Sequence, residues 1–198
     1  VALMAPKKEI KVRKRQGKAF LDFQVGHTEI VPTYRRNPVE LAKIYNDIRV
    51  VVNNPDAAIE GLYIEGYASP DGAYATNERL SRERAESLKN YILTRFNFNR
   101  DLLRVSSVAE DWEGLTNLIQ DSDMAEKEDL LQIIQTEEDL DKREAAIKKL
   151  NKGAPYKKLA TDVFPELRRV EYQIDYGVKD YDVQQTQELL EKNPEDLS

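Results

Sequence analysis

The chain lacks cysteine altogether and has one histidine and one tryptophan among its 198 residues. Without cysteine it can form no disulfide, zinc-thiolate site or cysteine nucleophile, and His27 has no partners for a metal cluster or a Ser-His-Asp triad. No run approaches the roughly 18 consecutive apolar residues of a membrane span. The carboxylates Glu65 and Asp71 come with no nucleophile motif, so they do not indicate an acid/base site. We therefore expect no catalytic residue, no metal, no cofactor and no membrane insertion by this segment, and we expect a protein that is not an enzyme.

Composition bounds the size of the core. Hydrophobic residues make up 40% of the chain and charged residues 33%, which suits one compact domain with an elaboration. Because the chain begins with Val1 rather than Met, we expect a processed or excised piece of a longer protein.

Charge is unevenly distributed. The first fifty residues hold 11 of the 30 lysines and arginines but only 5 of the 36 acidic residues, and the formal net charge is -6. The basic run over residues 7–18 could hold phosphate, but no aromatic residue precedes Phe20 and the acidic remainder would repel a nucleic acid. We favour a basic linker or edge strand over residues 1–18, because Ile10 and Val12 alternate with charged neighbours.

Alternation of apolar and polar residues predicts four strands. The first is expected at Leu21, Phe23 and Val25, which alternate with polar residues. The others are expected at residues 58–67, 103–108 and 170–176, the last having the clearest pattern. Helical patterns lie between them.

Helix signals follow the first and second predicted strands. Asn37 with Glu40 has the spacing of a capping box, and apolar residues recur at helical spacing to about residue 53. A second helix is expected from about residue 76. Residues 110–162 read as a helical insertion, with N-cap spacing at Asp123 and at Thr136.

These patterns predict an α+β fold: a two-layer sandwich with a four-stranded mixed sheet, helices on one face, and an all-helical insertion before the last strand. The domain is expected over residues 19–178. An acidic, amphipathic tail over residues 179–198 would lead to a following segment.

Several residues at fixed spacing resemble the OmpA-like peptidoglycan-binding domain family. A strand, a Pro-Asp-Gly turn and a helix run in the family's order through IEGYASPDGAYATNERLSRERA, residues 64–85. The resemblance covers about residues 19–109 and 163–177. The residues that carry it are Gly66, Tyr67, Gly72, Asn77, Leu80, Ser81, Arg84 and Ala85, with a closing Arg-Arg-Val-Glu at 168–171.

The resemblance implies noncovalent binding of a diaminopimelate-type stem peptide of peptidoglycan, tethering a larger protein of the Gram-negative envelope to the wall. It implies a place on the periplasmic side of the outer membrane, with other envelope proteins as further partners. An alternative is a module that has lost wall binding and serves as a protein-interaction scaffold. The expected ligand-binding residues are Ser69, Asp71, Asn77, Ser81, Arg84 and Arg169.

Ser69 stands where the family has the aspartate that pairs with the ligand's ammonium group. A serine hydroxyl provides no charge pairing, so binding is expected to be weaker or to recruit Asp71. Asp71 also has a simpler role in the turn. Arg84 can supply a bidentate guanidinium to a carboxylate, or it can pair with Glu65 or Asp71 within the protein.

Overall fold

A computed structural model describes residues 8–24 and 27–181. Within these ranges the chain forms four strands: β1 (Lys8–Ala19), β2 (Ala57–Tyr67), β3 (Leu103–Val108) and β4 (Val170–Tyr181). They form one mixed sheet in the order β1-β4-β2-β3. β4 is antiparallel to both of its neighbours, whereas β2 and β3 are parallel. This confirms the predicted fold class.

Two helices pack on one face of this sheet. Helix α1 (Asn37–Val52) precedes β2, and helix α2 (Tyr74–Arg95) makes the crossover that parallel strands require. Alternation along the strands places one set of side chains against these helices. The main core accordingly joins sheet residues to helix residues, including Leu62, Ile64, Ile174, Ile44, Ile48 and Leu88.

The insertion between β3 and β4 has a core of its own. A π-helical turn at Leu159–Val163 links its last two helices, and a left-handed turn at residues 151–153 precedes the short helix Ala154–Lys158. Its buried apolar side chains form a second cluster, which includes Leu115, Ile119, Leu130, Ile147 and Leu159. No helix within the described ranges is long and apolar enough to cross a membrane. The helices are α3 (Trp112–Gln120), α4 (Lys127–Thr136), α5 (Leu140–Lys149), α6 (Ala154–Lys158) and α7 (Phe164–Leu167).

The strand predicted at Leu21 to Phe23 is wrong. The described residues 20–24 are irregular, and Val25 lies outside the described residues. The basic stretch itself forms the strand, because β1 pairs with β4 along its whole length. Leu21 is nevertheless buried, which explains an apolar pattern without a strand.

The predicted capping box is also wrong, because both of its side chains bond to the segment before the helix. Asn37 is fully buried; its side-chain oxygen accepts from the amide of Asp22 at 2.7 Å, and its nitrogen donates to the carbonyls of Asp22 and Val31, both at 2.9 Å. Glu40 accepts from the amide of Phe20 at 3.0 Å. Residues 20–22 thus obtain from α1 part of the hydrogen bonding that a strand would have supplied.

Other boundaries shift by a few residues. Helix α2 begins at Tyr74, earlier than predicted, and α4 begins at Lys127 without a cap from Asp123. Asp139, not Thr136, caps α5 by accepting from the amide of Lys142 at 2.9 Å. The insertion's helices extend to residue 167, and residues 179–181 continue β4, while the rest of the predicted tail lies outside the described residues.

Candidate functional site

A tight turn connects β2 to α2. Gly72 takes a positive φ of 90°, a conformation that glycine adopts without steric cost. The side chain of Asn77 donates to the carbonyl of Asp71 at 2.7 Å and to that of Ser69 at 3.3 Å. Asn77 therefore holds the turn from the first part of the helix.

Ser69, Asp71 and Arg168 form a hydrogen-bonded network beside this turn. Ser69 is only 3% exposed, and its hydroxyl donates to the carboxylate of Asp71. Arg168 donates from Nε to the Ser69 hydroxyl at 2.9 Å and pairs through Nη2 with Asp71 at 3.2 Å. The Asp71 side chain is still 34% exposed, so its carboxylate can be reached from solvent.

Ser81 lies at a close approach of α2 to β2. A Cβ atom on Gly66 would lie 2.4 Å from the backbone oxygen of Ser81, so only glycine fits at this position of β2. The Ser81 hydroxyl donates to the carbonyl of Glu78 within its own helix at 3.1 Å. Ser81 is buried and contributes a wall to the cleft described next.

Arg84 lines a small cleft of about 30 Å³. Its guanidinium lies 4.7 Å from the centre of the Phe23 ring, and two of its nitrogens are 3.4 Å from the carbonyl of His27. Within the described part of the chain it pairs with no carboxylate, so the alternative of a pairing with Glu65 or Asp71 is not formed. The cleft is lined by Leu21, Phe23, Gly66, Tyr67, Ser81, Arg84, Arg168, Arg169 and Val170.

Two positively charged side chains, Arg84 and Arg168, line the same cleft. Burial, and then the positive charge of Arg168, lower the pKa of Arg84. Arg168 is compensated by Asp71, whereas the contacts of Arg84 with the described residues are a carbonyl at 3.4 Å and a ring face. An anion bound between them would relieve the repulsion.

Arg169 contributes to the cleft wall, but its guanidinium bonds elsewhere. It lies 3.9 Å from the centre of the Tyr67 ring and pairs with Asp111 at 2.7 Å and with Glu171 at 3.0 Å. Burial opposes its charge, but the hydrogen bond and charge of Asp111, with Glu171, outweigh it and raise the pKa of Arg169. This side chain therefore fastens the insertion to the sheet.

The six residues predicted as ligand-binding fall into two groups. Ser69, Asp71 and Asn77 surround the turn, while Ser81, Arg84 and Arg169 line the cleft. Arg168 connects the groups because it lines the cleft and bonds to both Ser69 and Asp71. It was absent from the predicted set. Among the described residues no group of three or more His, Asp or Glu side chains could hold a metal ion.

Comparisons with known proteins find similarity among solved structures, and none to a family model or a curated protein. Among solved structures, the chain is similar to the OmpA-like domain of FopA1 from Francisella tularensis subsp. tularensis SCHU S4, with 12% sequence identity and a TM-score of 0.40. The match covers 91% of this chain and 86% of that chain. Because this likeness is loose, the function has to be argued from the chain's own residues.

Proposed function

We propose that this domain binds a carboxylate-bearing stem peptide of peptidoglycan, noncovalently and without chemistry on it, and so tethers a larger envelope protein to the cell wall. The observation that carries the proposal is Arg84: a partly buried guanidinium at a cleft, without a carboxylate partner in the described part of the chain. The periplasmic side of the outer membrane is the place where this ligand would be met.

A carboxylate fits the cleft for electrostatic reasons. Planar guanidinium groups bind carboxylates through two parallel hydrogen bonds, and such charge-assisted bonds are about twice as strong as neutral ones. Arg84 provides one fork, and Arg168 adds a second positive charge to the same cleft. The ligand's carboxylate would replace the long contact between Arg84 and the His27 carbonyl.

The ammonium group of the same ligand requires a negative partner. Asp71 supplies this negative partner, because Ser69 stands where the family has its aspartate. The Asp71 carboxylate is partly exposed and is held beside Ser69. Its pairing with Arg168 competes with this role, so we expect weak binding. Arg168 thus links the two charged ends of the proposed site.

Calorimetric titration with a soluble diaminopimelate stem peptide tests this proposal. Arg84→Ala should weaken binding about tenfold to a hundredfold, the loss expected from one or two charge-assisted hydrogen bonds. Arg82→Ala is the matched control, because Arg82 lies on the same helix and pairs only loosely with Glu78, at 3.8 Å. Ser69→Asp should tighten binding, because it restores a carboxylate for the ligand's ammonium group.

The outcomes separate two functions. Wall tethering is supported if Arg84→Ala loses binding of the stem peptide while Arg82→Ala binds as the native domain does. No binding by the native domain but binding by Ser69→Asp would mean that the cleft persists without use. If neither the native domain nor any variant gives a heat of binding, the alternative of a protein-interaction scaffold is favoured. The helical insertion, which has its own hydrophobic core, would offer a surface for such a partner.

A further inference from the structure

The outer edge of β1 is long, and no strand pairs with it among residues 8–24 and 27–181. β1 has twelve residues, twice the six of β3 at the other side of the sheet, and pairs with β4 at every position from Lys8 to Ala19 without a bulge. No described strand covers its other edge, since β1 is terminal in the strand order. Proteins usually shorten, bend or cover such edges, because free backbone groups there can pair with another strand.

The backbone bonds around β4 identify which groups of β1 face outward. In an antiparallel sheet, alternate residues of a strand bond to opposite neighbours. The carbonyl of Arg169 accepts from the amide of Tyr67, and the amide of Lys179 donates to Asp56, so the odd-numbered residues of β4 bond toward β2. The even-numbered residues of β4 therefore bond toward β1.

The pairing of β4 with β1 shows which residues of β1 bond to β4. Tyr172 of β4 is opposite Gly17, and Ile174 is opposite Arg15, so the odd-numbered residues of β1 bond to β4. The even-numbered residues then direct their N–H and C=O groups away from the sheet. A strand added at this edge would bond to Ile10, Val12, Lys14, Gln16 and Lys18.

Charge selects the kind of strand that fits. β1 carries six lysines and arginines against one glutamate, in a chain whose net charge is -6. Arg15 is compensated by Asp47 at 2.7 Å and Lys18 by Glu171 at 3.8 Å, whereas Arg13 and Lys14 have no ion pair among the residues that the structure describes. A second copy of β1 would set like charges side by side, which is destabilising.

We propose that the outer edge of β1 binds an extended acidic segment of a partner protein by strand addition. Main-chain hydrogen bonds would supply affinity, and Arg13 and Lys14, which alternation directs to opposite faces of the sheet, would pair with carboxylates on either face of the added strand. Ile10 and Val12 are 64% and 63% exposed, so apolar side chains are available beside these charges. This surface is separate from the Arg84 cleft and does not depend on it.

The probe is a synthetic peptide of about eight residues in which pairs of glutamates alternate with pairs of threonines, so that both faces of the added strand carry carboxylates. It is added to the full chain. We expect saturable binding that weakens with salt, together with slower hydrogen exchange at the outward amides of β1. The same peptide with lysine in place of glutamate should bind at least about tenfold more weakly, since opposite charges become like charges.

Two variants distinguish strand addition from simple charge attraction. Val12→Pro removes an outward N–H group that does not bond to β4, so the variant should still fold. Its affinity for the glutamate peptide should fall about tenfold, because one main-chain hydrogen bond is lost. Val12→Thr is the control, since it keeps the N–H group. Replacing Arg13 and Lys14 together by glutamate should reverse the preference, so that the lysine peptide binds more tightly than the glutamate peptide.

Three results would overturn the proposal. The first is no binding of the glutamate peptide. The second is equal binding of both peptides, or of Val12→Pro and Val12→Thr. The third is protection of the outward amides before any peptide is added, because the edge would then already be occupied within the protein or by a second copy.

Discussion

Replacing Asp111 by alanine should destabilise the junction between sheet and insertion. Asp111 pairs with Arg169 at 2.7 Å, with only 4% and 10% of the two side chains exposed, and also caps α3 by accepting from the amide of Gly114 at 2.9 Å. Removing one partner of a buried pair costs about 3–5 kcal/mol, and losing a cap costs about 1 kcal/mol.

The expected total for Asp111→Ala is about 3–4 kcal/mol, because Arg169 keeps Glu171 and the carbonyl of Leu167 as partners. Asp111→Asn retains the cap acceptor but loses the charge, so it should cost about 1 kcal/mol less. The comparison separates the ion pair from the cap.

Urea unfolding of the full chain measures this loss. Trp112 is the one tryptophan and begins α3, so its fluorescence reports on the insertion, while circular dichroism reports on the whole protein. Asp123→Ala is the control, since Asp123 is exposed and should change stability by less than about 0.5 kcal/mol. A loss below about 1 kcal/mol in Asp111→Ala would refute the view that this pair joins the two units.

Three further perturbations have defined outcomes. Gly66→Ala should lower the free energy of unfolding in urea by about 1–3 kcal/mol, since its Cβ would meet the rigid backbone oxygen of Ser81. Gly61→Ala should lower it less, because there the obstacle is a side chain. Equal losses in the two variants would contradict this explanation. Asn37→Ala should cost about 2–3 kcal/mol by the same measurement, because it leaves buried backbone groups unpaired, and a loss near zero would contradict the packing of residues 20–22. Burial raises the pKa of Glu110, so its negative charge disfavours folding near neutral pH. Glu110→Gln should therefore raise the melting temperature at pH 7, and this gain should disappear as the pH falls to the ordinary pKa of 4.5. A gain that does not depend on pH would contradict burial as its cause.

Much of the fold was predictable because its signals are local. The alternating residues of β4 and the helical spacing in α2 reflect one buried face each, and the structure confirms these elements. For β1 the same alternation indicated either a linker or an edge strand, and only the structure decides for the strand. Its two faces are both basic and its identity as a strand depends on pairing with β4, about 150 residues later in the chain.

The site shows the same division. The turn chemistry of Asp71 and Gly72 is visible in sequence, and so is the shared helix face of Ser81 and Arg84. Asn37 and Glu40 mimic a capping box because the same side-chain types serve tertiary hydrogen bonds. Arg168 had no local signal: it lies before the start of β4, and its contacts with Ser69 and Asp71 join residues that are about 100 positions apart in the chain.

The most direct test of the wall-binding account follows the arginine Nε–H resonances by NMR during titration with the stem peptide. If the cleft binds the ligand's carboxylate, the resonances of Arg84 and Arg168 shift together and saturate, whereas that of Arg82 stays in place. Binding of the peptide with an unchanged Arg84 resonance would contradict the account, because the ligand would then lie elsewhere on the domain.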